Sequence, residues 1–412
     1  MTELLNIEWG YYKSHPGLET SDGTESRQSL YLQRDDQASG AYIFRPETPD
    51  EDYQRIAASS VSFVKSQLFT EVHIDFEVPW IKMVVRIYED KQFADMEYTV
   101  GPVDIDDGVG KEVVARFRNG INNGGVFYTD TNGREFIKRK RSQRNTWKLE
   151  EFEPIAGNYY PVNTAIYIED DKASLAVVTD RSQGGSSLQD GAVELMVHRR
   201  TTHDDSRGVG EPLNETDVGI TPYNPYGDHK RLGDGILING KFRILHGPGK
   251  SGAALARGEL DQMFSPMHVF AATAAPSHLN QHQMVEKASK STKTKPLPKN
   301  LQLITIKLLS ASNGVDNFLI RIGHAYGHGE SKDLSVPVSV DLSDILLDFK
   351  IESVTEKTLT GNRDKKDWLK NKLKWSSAQS HREVLDVQGG DSTVVIHPME
   401  IRTFVVHARK TA

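Results

Sequence analysis

The histidines that could hold a metal come in loose pairs: His278 with His282, His324 with His328, and His198 with His203. Residues four apart share a face only on a helix, and His324-Ala325-Tyr326-Gly327-His328 has the pattern of a strand running into a glycine turn. The pairs are therefore expected to be packing and surface histidines. Glycoside hydrolysis calls for two carboxylates flanking the scissile bond. Asp204 and Asp205 are adjacent in His203-Asp204-Asp205-Ser206-Arg207-Gly208, and neighbours on an extended chain point to opposite faces, so they do not form such a pair together. That stretch reads as a loop in which an aspartate holds backbone groups and Arg207 acts as counter-ion. No HExxH, phosphate-binding glycine loop, GxSxG or dinucleotide fingerprint occurs. With no cysteine in the chain, disulfide frameworks, thiolate metal sites and cysteine nucleophiles are excluded.

The elements that would position any site are strands. Val72, Ile74, Phe76 and Val78 interleave with Glu71, His73, Asp75 and Glu77, which puts the apolar side chains on one face. Ala94, Met96, Tyr98 and Val100 alternate in the same way, as do Phe318, Ile320 and Ile322. Asp22-Gly23, Asp107-Gly108, Asn119-Gly120, Asn132-Gly133, Asp190-Gly191 and Asn239-Gly240 are turn signals. The last is expected to join Ile236-Leu237-Ile238 and Phe242-Arg243-Ile244-Leu245 as a hairpin. Helical spacing is confined to residues 258–264 and 365–374. The fold class is all-β: a large multi-stranded β-sandwich over residues 1–285, a polar linker at 286–295, and a smaller β-sandwich over 296–412.

The chain has 412 residues with 57 acidic against 50 basic ones spread along its length, so nucleic acid is not an expected partner. The run Lys138-Arg139-Lys140-Arg141, with Arg144, reads as a solvated loop and is given no function. No apolar stretch is long enough to cross a bilayer, and no membrane partner is expected. The acidic start, Met1-Thr2-Glu3-Leu4-Leu5, lacks the pattern of a signal peptide.

Several stretches are similar to class II α-mannosidases, glycoside hydrolase family thirty-eight, and specifically to their lysosomal and vacuolar branch. They are Ala38-Ser39-Gly40-Ala41-Tyr42-Ile43-Phe44-Arg45-Pro46, Val126-Phe127-Tyr128-Thr129-Asp130-Thr131-Asn132-Gly133-Arg134-Glu135, Tyr160-Pro161-Val162-Asn163, Asp180-Arg181-Ser182-Gln183-Gly184-Gly185-Ser186-Ser187-Leu188, and Glu194-Leu195-Met196-Val197-His198-Arg199-Arg200. Leu297-Pro298-Lys299-Asn300 and His397-Pro398-Met399-Glu400-Ile401-Arg402-Thr403-Phe404 continue the likeness toward the C-terminus.

The resemblance implies a galactose-mutarotase-like supersandwich and a lysosomal or vacuolar location. It also implies retaining hydrolysis of terminal α-mannosyl residues of N-glycan-type oligosaccharides. In the family the zinc ligands and the aspartate nucleophile belong to an N-terminal catalytic half. The resemblance therefore places no catalytic residue, no metal and no cofactor in this chain, and makes that half and the mannose-containing oligosaccharide its partners. Substrate binding falls to Tyr42, on what resembles the opening strand of the β domain, and to Arg199 and Arg200. Of the two arginines, one is expected to reach the site and the other to anchor Asp204 or Asp205. Asp180-Arg181 with Gly184-Gly185 could line the pocket or form a glycine turn. Two other roles stay open: a carbohydrate-binding module with Trp80 or Tyr88 as a stacking platform, and a structural partner subunit.

Overall fold

The computed structural model describes residues 5–17, 37–48, 53–208, 210–217, 234–266, 295–312, 314–373 and 392–411. The chain divides into two units, Met1–Ser265 and Pro266–Ala412. The linker expected at 286–295 falls, except for Lys295, outside the described residues, as do Asp22-Gly23 and the pair His278 and His282.

The first unit is built from two antiparallel sheets. One has six strands in the order β10 (Tyr160–Val162), β13 (Gln183–Ser186), β14 (Ala192–Arg200), β7 (Lys111–Arg118), β1 (Asn6–Lys13) and β2 (Tyr53–Ile56). The other has nine: β3 (Ala58–Lys65), β4 (Phe69–Phe76), β5 (Ile81–Tyr88), β6 (Phe93–Val100), β15 (Ile238–Pro248), β12 (Ala173–Thr179), β11 (Ala165–Glu169), β8 (Val126–Thr131) and β9 (Glu135–Lys140). Their facing sides share one core, in which Trp9, Val113, Phe117 and Leu195 meet Met96, Phe127, Ile166, Val177 and Phe242. The alternation along β6 delivers Met96, Tyr98 and Val100 to that core. Helix α1 (Gly252–Phe264) begins earlier than its spacing suggests and covers the far side of the nine-stranded sheet through Ala253, Ala256 and Leu260, packed on Tyr167 and Val178.

The second unit has a four-stranded sheet, β16 (Leu301–Ser312), β17 (Val315–His324), β21 (Ile401–Lys410) and β19 (Phe349–Lys357), and a two-stranded one, β18 (Val338–Asp341) with β20 (Thr393–Ile396). Phe318, Ile320 and Ile322 enter its core as their alternation requires. A short helix, α2 (Lys365–Asn371), is tied on by Lys365, which with Arg402 grips Glu356.

Two glycine signals mean something different in three dimensions. Asn239-Gly240 makes no hairpin: it sits inside β15, where Gly240 pairs with Tyr98. A β-carbon on Gly240 would lie 2.1 Å from the Tyr98 hydroxyl, so the glycine makes room for an aromatic side chain instead of turning the chain. Gly184-Gly185 likewise belongs to β13, where a β-carbon at Gly185 would meet Val162 at 2.7 Å. At Asn132-Gly133 both residues have positive φ and join β8 to β9 as expected. Asp130 fixes that turn, accepting from the N–H of Gly133 with one oxygen and from those of Asn163, Thr164 and Ala165 with the other.

Gly240→Ala is expected to lower unfolding stability by about 1–3 kcal/mol, the usual effect of overpacking. Adding Tyr98→Leu should make the double variant less damaged than the two single losses predict. Chemical denaturation of the four proteins measures this; strictly additive losses would show that the two side chains do not compete for the space.

Candidate functional site

The outer face of the six-stranded sheet carries charge where a sheet buried on both sides would carry hydrocarbon. Every residue of β7 from Lys111 to Phe117 is buried, yet Glu112 and Arg116 point outward among them. Buried charges persist only where they are matched. Arg116 pairs with Glu194 on β14 at 2.7 Å and donates to the Tyr12 hydroxyl at 2.9 Å. The Tyr12 and Tyr159 hydroxyls donate in turn to Glu194. Burial, reinforced by the Glu194 charge, pushes both phenols well above their ordinary range, so they remain donors.

Glu112 is matched by the chain segment that carries Tyr42. It accepts from Ser14 Oγ at 3.1 Å, from Ser39 Oγ at 2.5 Å and from Arg199 through both carboxylate oxygens. Arg199 also donates to the Ile43 carbonyl at 2.7 Å. The β-bulge between Met196 and His198 makes this possible, because it sets Arg199 opposite Glu112 and His198 opposite Val113, whose side chain faces the core. Arg200 consequently lies on the other face. It is 6 % exposed, donates to the Val103 carbonyl at 2.6 Å and is covered by Gly235.

Residues 38–46 form a loop, where the resemblance implies a strand; only Pro46 makes a β-bridge, to Ser14. The reason is that a carboxylate takes the place of a neighbouring strand. Asp205, 1 % exposed, accepts from the N–H groups of Tyr42 at 2.6 Å and Ile43 at 2.9 Å with one oxygen, and from the Arg207 N–H with the other. A β-carbon at Gly40 would lie 2.6 Å from the Asp205 nitrogen, so only glycine fits there. Arg45 closes the far end, donating to Glu153 at 2.8 Å and to the Gln37 carbonyl. The loop thus holds Tyr42 by its backbone and leaves its side chain 63 % exposed.

Of the three expected site residues, Tyr42 and Arg199 are brought together and Arg200 is not. Among the described residues Asp205 is held by the loop's amides and by no arginine side chain, and Arg207 contributes its backbone N–H. Glu112 was missed; its signal was a carboxylate at the head of the apolar run Val113-Val114-Ala115. Asp180 and Arg181 pair with each other and with the backbone of Asn239 and Lys241, which holds the N-terminal end of β15. Trp80 is buried, and Tyr88 packs edge-on against Phe93 with its hydroxyl on Asp95, so neither offers a flat exposed ring. His324 is enclosed, its ring nitrogens facing the backbone of Tyr326 and Val336. Among the described residues no three His, Asp or Glu side chains gather as a metal would require.

A two-sheet sandwich with a long loop gripped on its outer face does not by itself name a function. Comparison makes the assignment specific. Residues 4–207 match the glycosyl hydrolases family 38 C-terminal domain, and residues 300–404 match the glycosyl hydrolases family 38 C-terminal beta sandwich domain. The chain belongs to glycosyl hydrolase family 38, as its C-terminal part.

It is 40 % identical over 380 residues to the lysosomal alpha-mannosidase of Cavia porcellus, covering 90 % of this chain and 35 % of that protein. It is 37 % identical over 385 residues to an alpha-mannosidase of Canavalia ensiformis, covering 90 % and 37 %. The chain therefore spans about a third of the length of the relatives it matches. The crystal structure of an alpha-mannosidase from Enterococcus faecalis V583 shares the fold, with a TM-score of 0.54 at 10 % identity over 97 % of this chain and 38 % of that one.

Asp205→Ala removes the acceptor for the amides of Tyr42 and Ile43. Hydrogen bonds to a charged group are worth about 1.5–3 kcal/mol, so exchange of those two amides should quicken by about ten- to a hundredfold. Hydrogen exchange resolved at Tyr42 and Ile43 reads this directly, with Asp205→Asn as a milder companion; unchanged protection in both variants would show that the loop does not depend on Asp205.

Proposed function

We propose that this chain is the sugar-contacting β half of a lysosomal- or vacuolar-type α-mannosidase that removes terminal α-mannosyl residues from N-glycan-derived oligosaccharides. The aspartate nucleophile and the zinc ion would come from the part of the family-length enzyme that this chain does not span. The observation that carries the proposal is the loop of residues 38–46: its backbone is fixed by Asp205, Ser39 and Arg199, while Tyr42 is presented outward. Such a phenol is suited to donate a hydrogen bond to a sugar hydroxyl or to a carboxylate brought by another domain.

Arg199 then acts as a positioning residue, because its guanidinium is already committed to Glu112 and to the Ile43 carbonyl. Arg200 braces the Val103 carbonyl from the opposite face and has no direct part in sugar binding. A companion domain is also favoured by the edge strand β3, where Val61, Phe63 and Val64 are more than half exposed, as is Leu68 just beyond it. The stacking-platform alternative loses its support with Trp80 and Tyr88 enclosed or engaged.

The test uses this chain alone and fused behind the upstream part of the Canavalia ensiformis relative. The chain alone should hydrolyse no aryl α-mannoside above background, and the fusion should hydrolyse it. In the fusion, Tyr42→Phe removes one hydrogen bond worth about 1.5–3 kcal/mol, so kcat/KM should fall by about ten- to a hundredfold at unchanged thermal stability. Turnover by the purified chain alone, tracking its concentration, would overturn the division of labour. A near-wild-type Tyr42→Phe fusion would overturn the contact. Arg199 is a poorer probe, because breaking a buried ion pair costs about 3–5 kcal/mol of stability by itself.

A further inference from the structure

The basic run of residues 138–141 takes no part in the site just described. Between residues 134 and 148 stand seven lysines and arginines and a single acidic residue, in a chain whose formal net charge is −7. The run is not a loop: Lys138, Arg139 and Lys140 end the edge strand β9. Lysines on an edge strand discourage pairing with other chains, which accounts for Lys138 and Lys140.

Arg139 needs another explanation. It lies opposite Phe127, which is wholly buried, so its side chain leaves the strand on the core-facing side. There its guanidinium sits 4.3 Å from the centre of the Tyr160 ring on β10, and that of Arg144 sits 5.5 Å from the same ring. The two cations therefore share one aromatic partner at the seam between the edge strands of the two sheets.

Neither pairs with a carboxylate among the described residues. Arg139 donates through Nε to Thr129 Oγ1 at 3.1 Å, and Arg144 to the carbonyls of Gln143 at 3.0 Å and Gly157 at 2.6 Å. The terminal nitrogens of Arg139 have no acceptor among the described residues and are not enclosed. Four other arginines with little exposure are matched by carboxylates: Arg116 by Glu194, Arg199 by Glu112, Arg243 by Asp95 and Arg402 by Glu356. Burial, with the neighbouring Arg144 charge, holds Arg139 below the usual guanidinium range. A ring face offsets part of one positive charge, not two. What remains is a fixed guanidinium fork beside a second cation.

We propose that Arg139 and Arg144, seated on the Tyr160 ring, bind an oxyanion of the phosphate type, as free phosphate or as a sugar phosphate. A planar guanidinium presents two parallel N–H donors that fit a tetrahedral oxyanion. Phosphate brings a charge of about −1.5 to −2 near pH 7, enough to balance both arginines, whereas a carboxylate balances one. The site is independent of the mannosidase reading, and its test involves no catalysis.

Inorganic phosphate is titrated into the full chain by calorimetry at constant ionic strength, with acetate and a hexose 1-phosphate in parallel. Saturable phosphate binding is expected, with a dissociation constant on the order of 1 mM. Arg139→Gln and Arg144→Gln should each weaken it at least tenfold. Arg139→Lys, which keeps the charge and loses the fork, should fall between them and the parent protein. Phosphate should also raise the thermal midpoint of the parent and not of the glutamine variants. If Arg139→Gln does not fold, Arg144→Gln carries the test from the segment beyond the strand. Hexose 1-phosphate binding much tighter than phosphate would identify an esterified ligand, and equal binding the free anion; both support the site. No saturable binding, acetate binding as tightly as phosphate, or phosphate binding indifferent to the substitutions would overturn it.

Discussion

A carboxylate taken out of water must be given donors, and Glu112 is taken out completely. Its strand lies in the middle of the six-stranded sheet, with β1 on one side and β14 on the other, so its own ladder neighbours are Tyr12 and Arg199. The remaining donors come from far away in sequence: Ser14 at the end of β1 and Ser39 in the loop that follows. Glu194, one strand over, collects Arg116, Tyr12 and Tyr159 for the same reason. The outer face of this sheet is therefore organised by two acids. Each draws in the segments that satisfy it, and the loop of residues 38–46 is one of those segments. A buried pair of this kind is weak evidence for added stability, since apolar residues of equal volume often do as well energetically.

The all-β class and many of the strands were legible because half-buried strands betray themselves by alternation, as β4 and β6 do. Where both faces are covered the alternation disappears, and β7 reads as an apolar run with inexplicable charges. Glycine was read correctly where backbone geometry required it, at Gly133 and Gly191, and wrongly where a neighbouring side chain required it, at Gly240; at Gly185, in a strand beside Val162, the glycine-turn alternative does not hold. A sequence shows the first need locally through the residue beside the glycine. The second depends on a partner some 140 positions away, as Gly240 does on Tyr98.

The site shows the same division. Resemblance picked out Tyr42 and the two arginines, but which arginine underlies the loop is a matter of strand register, and no residue type announces a bulge. Asp205 was visible as an aspartate that would hold backbone groups. That the backbone it holds is the segment carrying Tyr42, more than 160 residues earlier, follows only from the folded chain. The loop's conformation is thus written in three places, at Gly40, at Asp205 and at Glu112, none of which touches solvent freely.

The bulge at Met196 and His198 gives the doubled arginine a parity property. In a regular ladder Arg199 would turn inward and Arg200 outward, two rungs and about 6.6 Å beyond the rung of Glu112. One arginine would still emerge on each side, so the tandem survives a slip in composition but not in position: His198 would then occupy the rung of Glu112. A one-residue insertion or deletion upstream in β14 would thus leave the sequence motif intact while withdrawing the counter-ion from the acid that gathers the loop. Among homologues, the length of this strand is a more telling character than the presence of the two arginines.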